Sequence, residues 1–201
     1  MSKLIRIRTD DVLVHSNAMI DKEFEKWRKH HRWVMEAPDY FFHTPAILCS
    51  EIQAFPIAID YIKEEMDAGR LTLDLHGWEH IDYGALTKEQ IEEHLEKSFE
   101  FFLKTFNCLP FRWATPWGAD TPDIRSAARK FSLIVEGVTD PVIDQSQAME
   151  LVRQCDSIEP LLNRVVMVHW FERGLKLYRI IQTAKYGSYK KAAEAQPELF
   201  K

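Results

Sequence analysis

The sequence has no run of about 18 apolar residues, the length that a helix needs to cross a bilayer. Its first residues also lack the apolar segment of a secretory signal, because charged residues interrupt them at Lys3, Arg6, Arg8, Asp10 and Asp11. From these two absences we predict a protein without a membrane span and with a cytoplasmic location.

Cysteine is scarce, with Cys49, Cys108 and Cys155 far apart in the 201 residues. An odd and scattered set makes neither a disulfide framework nor a cysteine-based zinc site.

Long basic runs are also absent, and the formal net charge is −5. This charge disfavours nucleic acid or an anionic membrane as the main partner.

No internal repeat, low-complexity stretch or linker rich in proline, glycine or serine interrupts the sequence, so it shows no domain boundary. The length of 201 residues and a hydrophobic content of 46% suit one domain with its own core. We therefore predict a single domain over residues 1–201.

Short runs typical of strands alternate with segments in which apolar residues recur at helical spacing. Strands are predicted over residues 4–8, 46–49, 71–75, 111–114, 133–135 and 165–168. Helices are predicted over residues 20–34, 55–66, 86–106 and 121–131. Two of these helices have starting signals, a capping box of Thr87 with Gln90 and an N-cap at Thr121 before Pro122. The alternation predicts an α/β fold with a parallel sheet or barrel.

Residues capable of chemistry follow or end four of the predicted strands. They are Asp10 with Asp11, His76, Arg112 and His169. Because the carboxyl ends of parallel strands meet on one rim, these side chains can converge although they are distant in sequence.

Two pairs in this set indicate a metal site. Adjacent strand residues point to opposite faces, so Asp10 and Asp11 can divide metal binding and base function between them. Solvated turn residues are the alternative for the aspartates. His76 and His80, with Gly77 allowing a bend between them, can take adjacent positions on one divalent ion such as zinc. For the histidines, the alternative is an ordinary surface turn.

The segment from His76 to His80 also matches H-x-x-E-H, a zinc peptidase pattern in which Glu79 acts as the base. That interpretation requires a helix, whereas the five preceding residues alternate as a strand and Gly77 and Gly84 bracket the segment. A strand that ends in a turn is therefore favoured.

Two further segments indicate no particular function when each is taken alone. Arg112 to Gly118 combines a fixed cation with a rigid turn before a helix, and backbone N–H groups in such a turn can face a developing oxyanion. His169 ends an apolar run, where a lone histidine is more often structural. The remaining histidines follow no pattern and are expected on the surface or in packing, namely His15, His30, His31, His43 and His94.

Taken in order, these segments resemble the polysaccharide deacetylase family, also described as the NodB homology domain or carbohydrate esterase family 4. The resemblance covers about residues 4–170 and includes the string Asp67-Ala68-Gly69 before the histidine segment. It implies a distorted (β/α) barrel of about seven strands. It further implies a metal-dependent hydrolase of C–N bonds other than peptide bonds, which removes an N-acetyl or related acyl group from a sugar or polysaccharide-type substrate.

The resemblance also implies a role for each site residue. One divalent ion, with zinc expected first among the divalent transition metals, would be held by Asp11, His76 and His80. The catalytic residues would be Asp10 as general base, His169 as general acid, Arg112, and Trp117 through its backbone N–H. The residues that bind substrate would be Pro116, Trp78 and Trp170.

Four tryptophans lie beside the motifs and could form walls for a sugar ring, although we expect at least two of them to be core residues. They are Trp78, Trp113, Trp117 and Trp170.

The chain departs from the family pattern in several places. Gly77 stands where the family usually has Ser or Thr, which removes a supporting hydroxyl. One extra residue separates Arg112 from Pro116, and Trp117 replaces the usual Tyr or Phe. Asp140 is the candidate for the acidic residue that orients Arg112. The departures at Gly77 and Arg112 leave open a non-catalytic carbohydrate-binding protein of the same fold. A metal amidohydrolase acting on a non-sugar amide is also open, because substrate specificity lies in loops.

Overall fold

The computed structural model describes residues 5–12, 20–136, 142–162, 164–169 and 175–200, without the side chains of residues 11, 12, 20–23 and 169. The strands are β1 (Ile5–Val12), β2 (Phe41–Leu48), β3 (Asp74–Gly77), β4 (Arg112–Trp113), β5 (Ile134–Val135), β6 (Val142–Asp144) and β7 (Val165–His169). The helices are α1 (Ile20–Val34), α2 (Cys49–Ile52), α3 (Pro56–Asp67), α4 (Lys88–Phe106), α5 (Pro122–Lys130), α6 (Gln145–Cys155), α7 (Leu175–Tyr186) and α8 (Tyr189–Ala195). The seven strands form one sheet in the order β5-β4-β3-β2-β1-β7-β6. The predicted α/β class with about seven strands is confirmed.

The chain divides into two compact units. The first contains Met1–Thr9, Asp21–His43 and Asp140–Lys201, and the second contains Asp10–Ile20 and Thr44–Thr139. The single domain over residues 1–201 stays a prediction.

The first unit has a hydrophobic core built from strand and helix faces. In it β6 runs parallel to β7, with Val142 opposite Val165. Helix α6 begins at a capping box in which Asp144 accepts from the amides of Ser146 and Gln147. The buried side chains of this core include Ile5, Ile7, Val34, Phe41, Val152, Val166, Val168, Leu177, Ile180 and Ile181.

A cluster of buried histidines also belongs to the first unit. His43 is fully buried, its Nε2 is hydrogen-bonded to the Thr9 hydroxyl, and its Nδ1 lies 2.9 Å from Nδ1 of His31. The Trp27 ring packs against the rings of both histidines, and His30 is buried beside them. The expectation that these three histidines serve packing is confirmed.

The second unit carries the parallel pairs β2–β3, β3–β4 and β4–β5. The predicted capping box begins α4, because the Thr87 hydroxyl accepts from the Gln90 amide and the Gln90 side chain accepts from the Thr87 amide. The predicted N-cap also holds for α5, where the Thr121 hydroxyl accepts from the Ile124 amide and Pro122 is the first helical residue. These two helices follow β3 and β4 along the chain.

One predicted strand is displaced. The alternation over residues 71–75 predicted a strand there, whereas β3 covers Asp74–Gly77 and Leu71 makes an isolated bridge. The register against β2 shifts between Ile47 and Leu48, so the pairing continues to Gly77. The strand therefore includes His76 and the following glycine.

The structure also adds elements that the sequence pattern did not predict, namely α2, β6, α6, α7 and α8. Cys49, Cys108 and Cys155 are free thiols. Within the described ranges, no helix is both long enough and apolar enough to span a membrane.

Candidate active site

The second unit brings several of the predicted site residues to the ends of its strands. Asp10 and Asp11 lie in the last three residues of β1, His76 lies next to the end of β3, and Arg112 lies in the short β4. Because β3 and β4 run parallel, His76 and the segment after Arg112 lie on the same edge of the sheet.

His76 is held in a fixed orientation. Its ring is buried, and Nδ1 donates to the carbonyl oxygen of Ala114 at 2.6 Å. A carbonyl can only accept, so this bond places the proton on Nδ1 and leaves Nε2 with a lone pair. A backbone carbonyl that fixes the tautomer in this way is the usual support for a metal-binding histidine.

His80 lies beside His76 at a separation that suits a shared ion. The two ring centroids are 5.3 Å apart and the rings are inclined by 46°. Two imidazoles that bind one tetrahedral ion through nitrogens about 2 Å from it have centroids about 5 Å apart. On its other side His80 meets the Trp117 ring in an edge contact, with centroids 4.5 Å apart. The pair therefore fits a divalent ion.

The residues between the two histidines form a bend and not a helix. Gly77 has a φ of +133°, and the hydroxyl of Tyr83 accepts the amide N–H of Trp78 at 2.9 Å. Glu79 is exposed. The helix that the H-x-x-E-H peptidase pattern requires is absent from this segment, as predicted.

The described side chains include no group of three or more His, Cys, Asp or Glu residues that could hold a metal ion. The side chain of Asp11, the predicted third ligand, lies outside that description, as does the side chain of His169 at the end of β7 in the first unit. Asp10 is buried at the end of β1. The roles of Asp10, Asp11 and His169 stay predictions.

Arg112 has an acidic neighbour that the sequence did not identify. Nη1 of Arg112 lies 3.6 Å from Oε1 of Glu136, whose side chain is only 3% exposed. Asp140, the candidate chosen from the sequence, lies outside the described residues. A usable signal was present, because Glu136 directly follows the run Leu133 to Val135 and thus occupies the same strand-end position as the other site residues.

The segment after β4 forms a strained 3₁₀ turn over Pro116–Gly118. Trp117 adopts a left-handed conformation with φ of 53°, which is uncommon for a residue other than glycine and is often found at functional sites. The amide of Gly118 donates to the Thr115 carbonyl, and the Thr115 hydroxyl donates to the carbonyl of Ala119. The Trp117 amide belongs to the first turn, where N–H groups have no carbonyl partner within the helix. Pro116 is buried beneath it.

The tryptophans beside the motifs divide into core and surface residues. Trp113 is fully buried and packs edge to face against Tyr83, with ring centroids 5.1 Å apart. Trp78 is half-buried, whereas the Trp117 side chain is 68% exposed. Trp170 lies outside the described residues. Trp113 is therefore a core residue, and Trp117 is available to a ligand.

Comparisons with known proteins agree with this geometry. A model of the polysaccharide deacetylase family matches residues 35–135, just over half of the chain. The matched region contains His76, His80, Arg112 and Trp117. A comparison of the sequence with curated proteins found no match.

Solved structures of carbohydrate esterase family 4 share the fold. A pseudoenzyme of this family from Bacillus anthracis has a TM-score of 0.67 at 13% identity, over 92% of this chain and 61% of that chain. Peptidoglycan deacetylase PdaC from Bacillus subtilis has a TM-score of 0.62 at 15% identity, over 98% of this chain and 96% of that one. A family 4 carbohydrate esterase from Streptomyces lividans, in complex with acetate, has a TM-score of 0.61 at 15% identity, over 96% of this chain and 89% of that chain.

This chain spans less than two thirds of the length of the Bacillus anthracis protein but most of the length of the other two. At these identities the similarity establishes the fold, and it confirms the predicted barrel of this family. Together with the family model, it shows that the chain belongs to the polysaccharide deacetylase family.

Proposed function

We propose that the protein is a metal-dependent deacetylase that removes an N-acetyl or related acyl group from a sugar or polysaccharide-type substrate. The observation that carries this proposal is the pair of His76 and His80, with ring centroids 5.3 Å apart and the Nδ1 proton of His76 fixed on the Ala114 carbonyl. A carbonyl that fixes the tautomer, so that Nε2 carries the lone pair, is the usual support of a metal-binding histidine, and a packing histidine does not require it.

The proposed ligands of the ion are Asp11, His76 and His80. A divalent ion such as zinc, when bound there, would polarise the acyl carbonyl and lower the pKa of a water molecule.

Each remaining residue has a separate task in amide hydrolysis. Asp10 takes the proton from the attacking water as general base. The Trp117 amide donates a hydrogen bond to the oxygen on which negative charge develops. His169 protonates the departing amine. Arg112, with Glu136 beside it, supplies a fixed positive charge at the same strand ends.

The exposed aromatic surface supports a carbohydrate as the substrate. The Trp117 ring is exposed next to His80, so a sugar ring can stack on it while its acyl group approaches the histidine pair. Trp78, Pro116 and Trp170 are proposed to complete the substrate site. Solved structures with this fold include a peptidoglycan deacetylase and a carbohydrate esterase. A cytoplasmic location stays a prediction that cell fractionation tests.

Metal binding and acetate release test the proposal together. His76→Ala and His80→Ala should abolish binding of zinc in calorimetry and acetate release from acetylated sugars, while circular dichroism stays unchanged. Glu79→Gln is the matched control, because this exposed carboxylate lies between the two ligands and should be dispensable. Unchanged metal stoichiometry in both alanine variants contradicts the site. A loss of several orders of magnitude in Glu79→Gln would favour the peptidase interpretation.

A non-catalytic protein of the same fold is the second candidate, and it has specific support. The solved structures with this fold include a pseudoenzyme of carbohydrate esterase family 4 and a mutant of it with restored activity. Binding of zinc and of acetylated oligosaccharides without release of acetate, across a panel of sugars and small amides, would favour this candidate. Release of acetate from small amides alone would favour an amidohydrolase acting on a non-sugar substrate.

A further inference from the structure

Tyr83 occupies the space that a side chain at residue 77 would need. A Cβ atom built on Gly77 would lie 2.7 Å from the Tyr83 hydroxyl oxygen and 3.0 Å from its Cε2. Real Cβ atoms do not approach another atom as closely as 2.7 Å, and the φ of +133° at residue 77 is itself unfavourable for a side chain. A side chain at residue 77 would therefore strain the backbone and require Tyr83 to move. Gly77 and Tyr83 therefore depend on each other.

The Tyr83 hydroxyl is bonded to the backbone between the two histidines. It accepts the amide N–H of Trp78 at 2.9 Å, which is the first residue after β3. It also lies 3.3 Å from Nδ1 of His94 on α4. Burial raises the pKa of Tyr83, so the phenol keeps its proton and can donate to His94 while it accepts from Trp78.

The Tyr83 ring is itself held rigidly. It is fully buried and meets the Trp113 ring and the His94 ring in edge contacts, with centroids 5.1 Å and 5.7 Å apart. It begins the 3₁₀ turn Tyr83–Ala85, whose cap is the Asp82 side chain accepting from the Gly84 amide. A hydroxyl on so fixed a ring restrains the segment that it binds.

We propose that Tyr83 is the positioning residue of the histidine turn Gly77–His80, and that its hydroxyl keeps His80 at the separation from His76 that metal binding requires. The Tyr83 hydroxyl lies in the space that a side chain at residue 77 would need. The part of this inference that concerns metal affinity rests on the proposed function, whereas the restraint on the turn does not.

Tyr83→Phe tests the inference, because it keeps the buried ring and removes only the hydroxyl. Amide hydrogen exchange by NMR in the metal-free protein should show faster exchange at Trp78, by about tenfold or more, with little change at Leu75. Zinc affinity measured by calorimetry should fall by about 10- to 100-fold, the usual effect of losing a group that supports a metal ligand. Tyr61→Phe, on helix α3 of the same unit, is the matched control and should change neither quantity.

Gly77→Ala provides an independent variant, because its methyl group would displace the hydroxyl. Its effect on zinc affinity and that of Tyr83→Phe should be non-additive, so the double variant should lose less than the product of the two separate losses. Unchanged exchange at Trp78 in Tyr83→Phe, or fully multiplicative losses, would overturn the inference. If the wild-type protein binds no zinc, the proposed function fails, and the exchange rate at Trp78 still decides whether Tyr83 restrains the turn.

Discussion

At the scale of single residues, the sharpest test separates the general base from the metal ligand in the pair of adjacent aspartates. Neighbouring strand residues point to opposite faces, and Asp10 and Asp11 are both within β1. Asp10→Asn should therefore retain zinc but lose acetate release, by about 10² to 10⁴ in rate, because the amide cannot take a proton. Asp11→Asn should weaken zinc binding itself, and excess zinc should partly restore its activity. Calorimetry and an acetate assay on both variants measure the difference.

The same two variants also have outcomes that contradict the assignment. Loss of zinc in Asp10→Asn together with full binding in Asp11→Asn would exchange the two roles. If neither substitution changes rate or affinity, the pair has no part in binding or catalysis and the deacetylase proposal fails with it. Rescue of Asp10→Asn by excess zinc would show that its defect is binding and not proton transfer.

A site residue could be predicted from the sequence where it lies at the end of an apolar strand run. It could not be predicted where its role depends on a contact in the folded structure. His76 and Arg112 could be found because each lies in or beside an apolar strand run. Glu136 follows the same rule, but the strand before it, β5, has only two residues. Tyr83 carried no signal, because its role depends on the backbone conformation of Gly77 and on the packing of its ring, neither of which is a sequence pattern.

At the scale of elements, the capping box of α4 leads to a direct prediction. Helix α4 runs from Lys88 to Phe106 between β3 and β4, and the Thr87 hydroxyl satisfies the Gln90 amide in its first turn. Thr87→Ala should lower the free energy of unfolding by about 1 kcal/mol, within the range found for such caps. Urea unfolding measures this change.

Thr87→Ser is the conservative control for the cap, since serine keeps the hydroxyl and should keep most of the stability. Equal losses in the alanine and serine variants would mean that the threonine methyl group matters and the hydrogen bond does not. A loss in neither would show that the Gln90 half of the box is sufficient.

Elements with a starting signal and an apolar face were predicted well, as α4 and α5 show. Helix α7 was not, although Leu177, Ile180, Ile181 and Ala184 are buried at helical spacing. The apolar face of α7 could have been recognised in the sequence, because these residues recur every three or four positions. The capping box of Asp144 and Gln147 was equally present before α6, but β6 has only three residues and predicts little by itself.

At the scale of the whole molecule, the order of elements was enough to predict the fold class, because regular alternation of strands and helices is typical of a parallel sheet. The ladder β2–β3–β4–β5 follows that rule. The division into two units was not predictable, since β1 and β2 each contribute residues to both and no linker separates them. The match to the family model also ends before His169. The assignment of His169 therefore depends on its position at the end of β7.

The buried histidines lead to a prediction for the stability of the whole protein. Burial, followed by the nearby His31 and His30, lowers the pKa of His43 well below its ordinary value of 6.5. Burial also lowers the pKa of the half-buried His94. Between the folded and unfolded pKa values the unfolded chain binds more protons, so the free energy of unfolding rises with pH. The stabilisation is complete above about pH 6.5 and is lost as the pH falls below that value.

Urea unfolding between pH 7.5 and 5 should therefore show falling stability, with a slope of up to about 1.4 kcal/mol per pH unit for each histidine that titrates fully. His43→Gln separates this titration from packing, because glutamine can bond to the Thr9 hydroxyl but carries no titrating proton. The variant should be less stable at pH 7.5 and should have a smaller slope below pH 6.5. A slope unchanged from that of the wild-type protein would assign the acid sensitivity to other groups. A wild-type stability that is constant down to pH 5 would mean that His43 is protonated with little cost in the folded protein, so that burial does not hold it neutral.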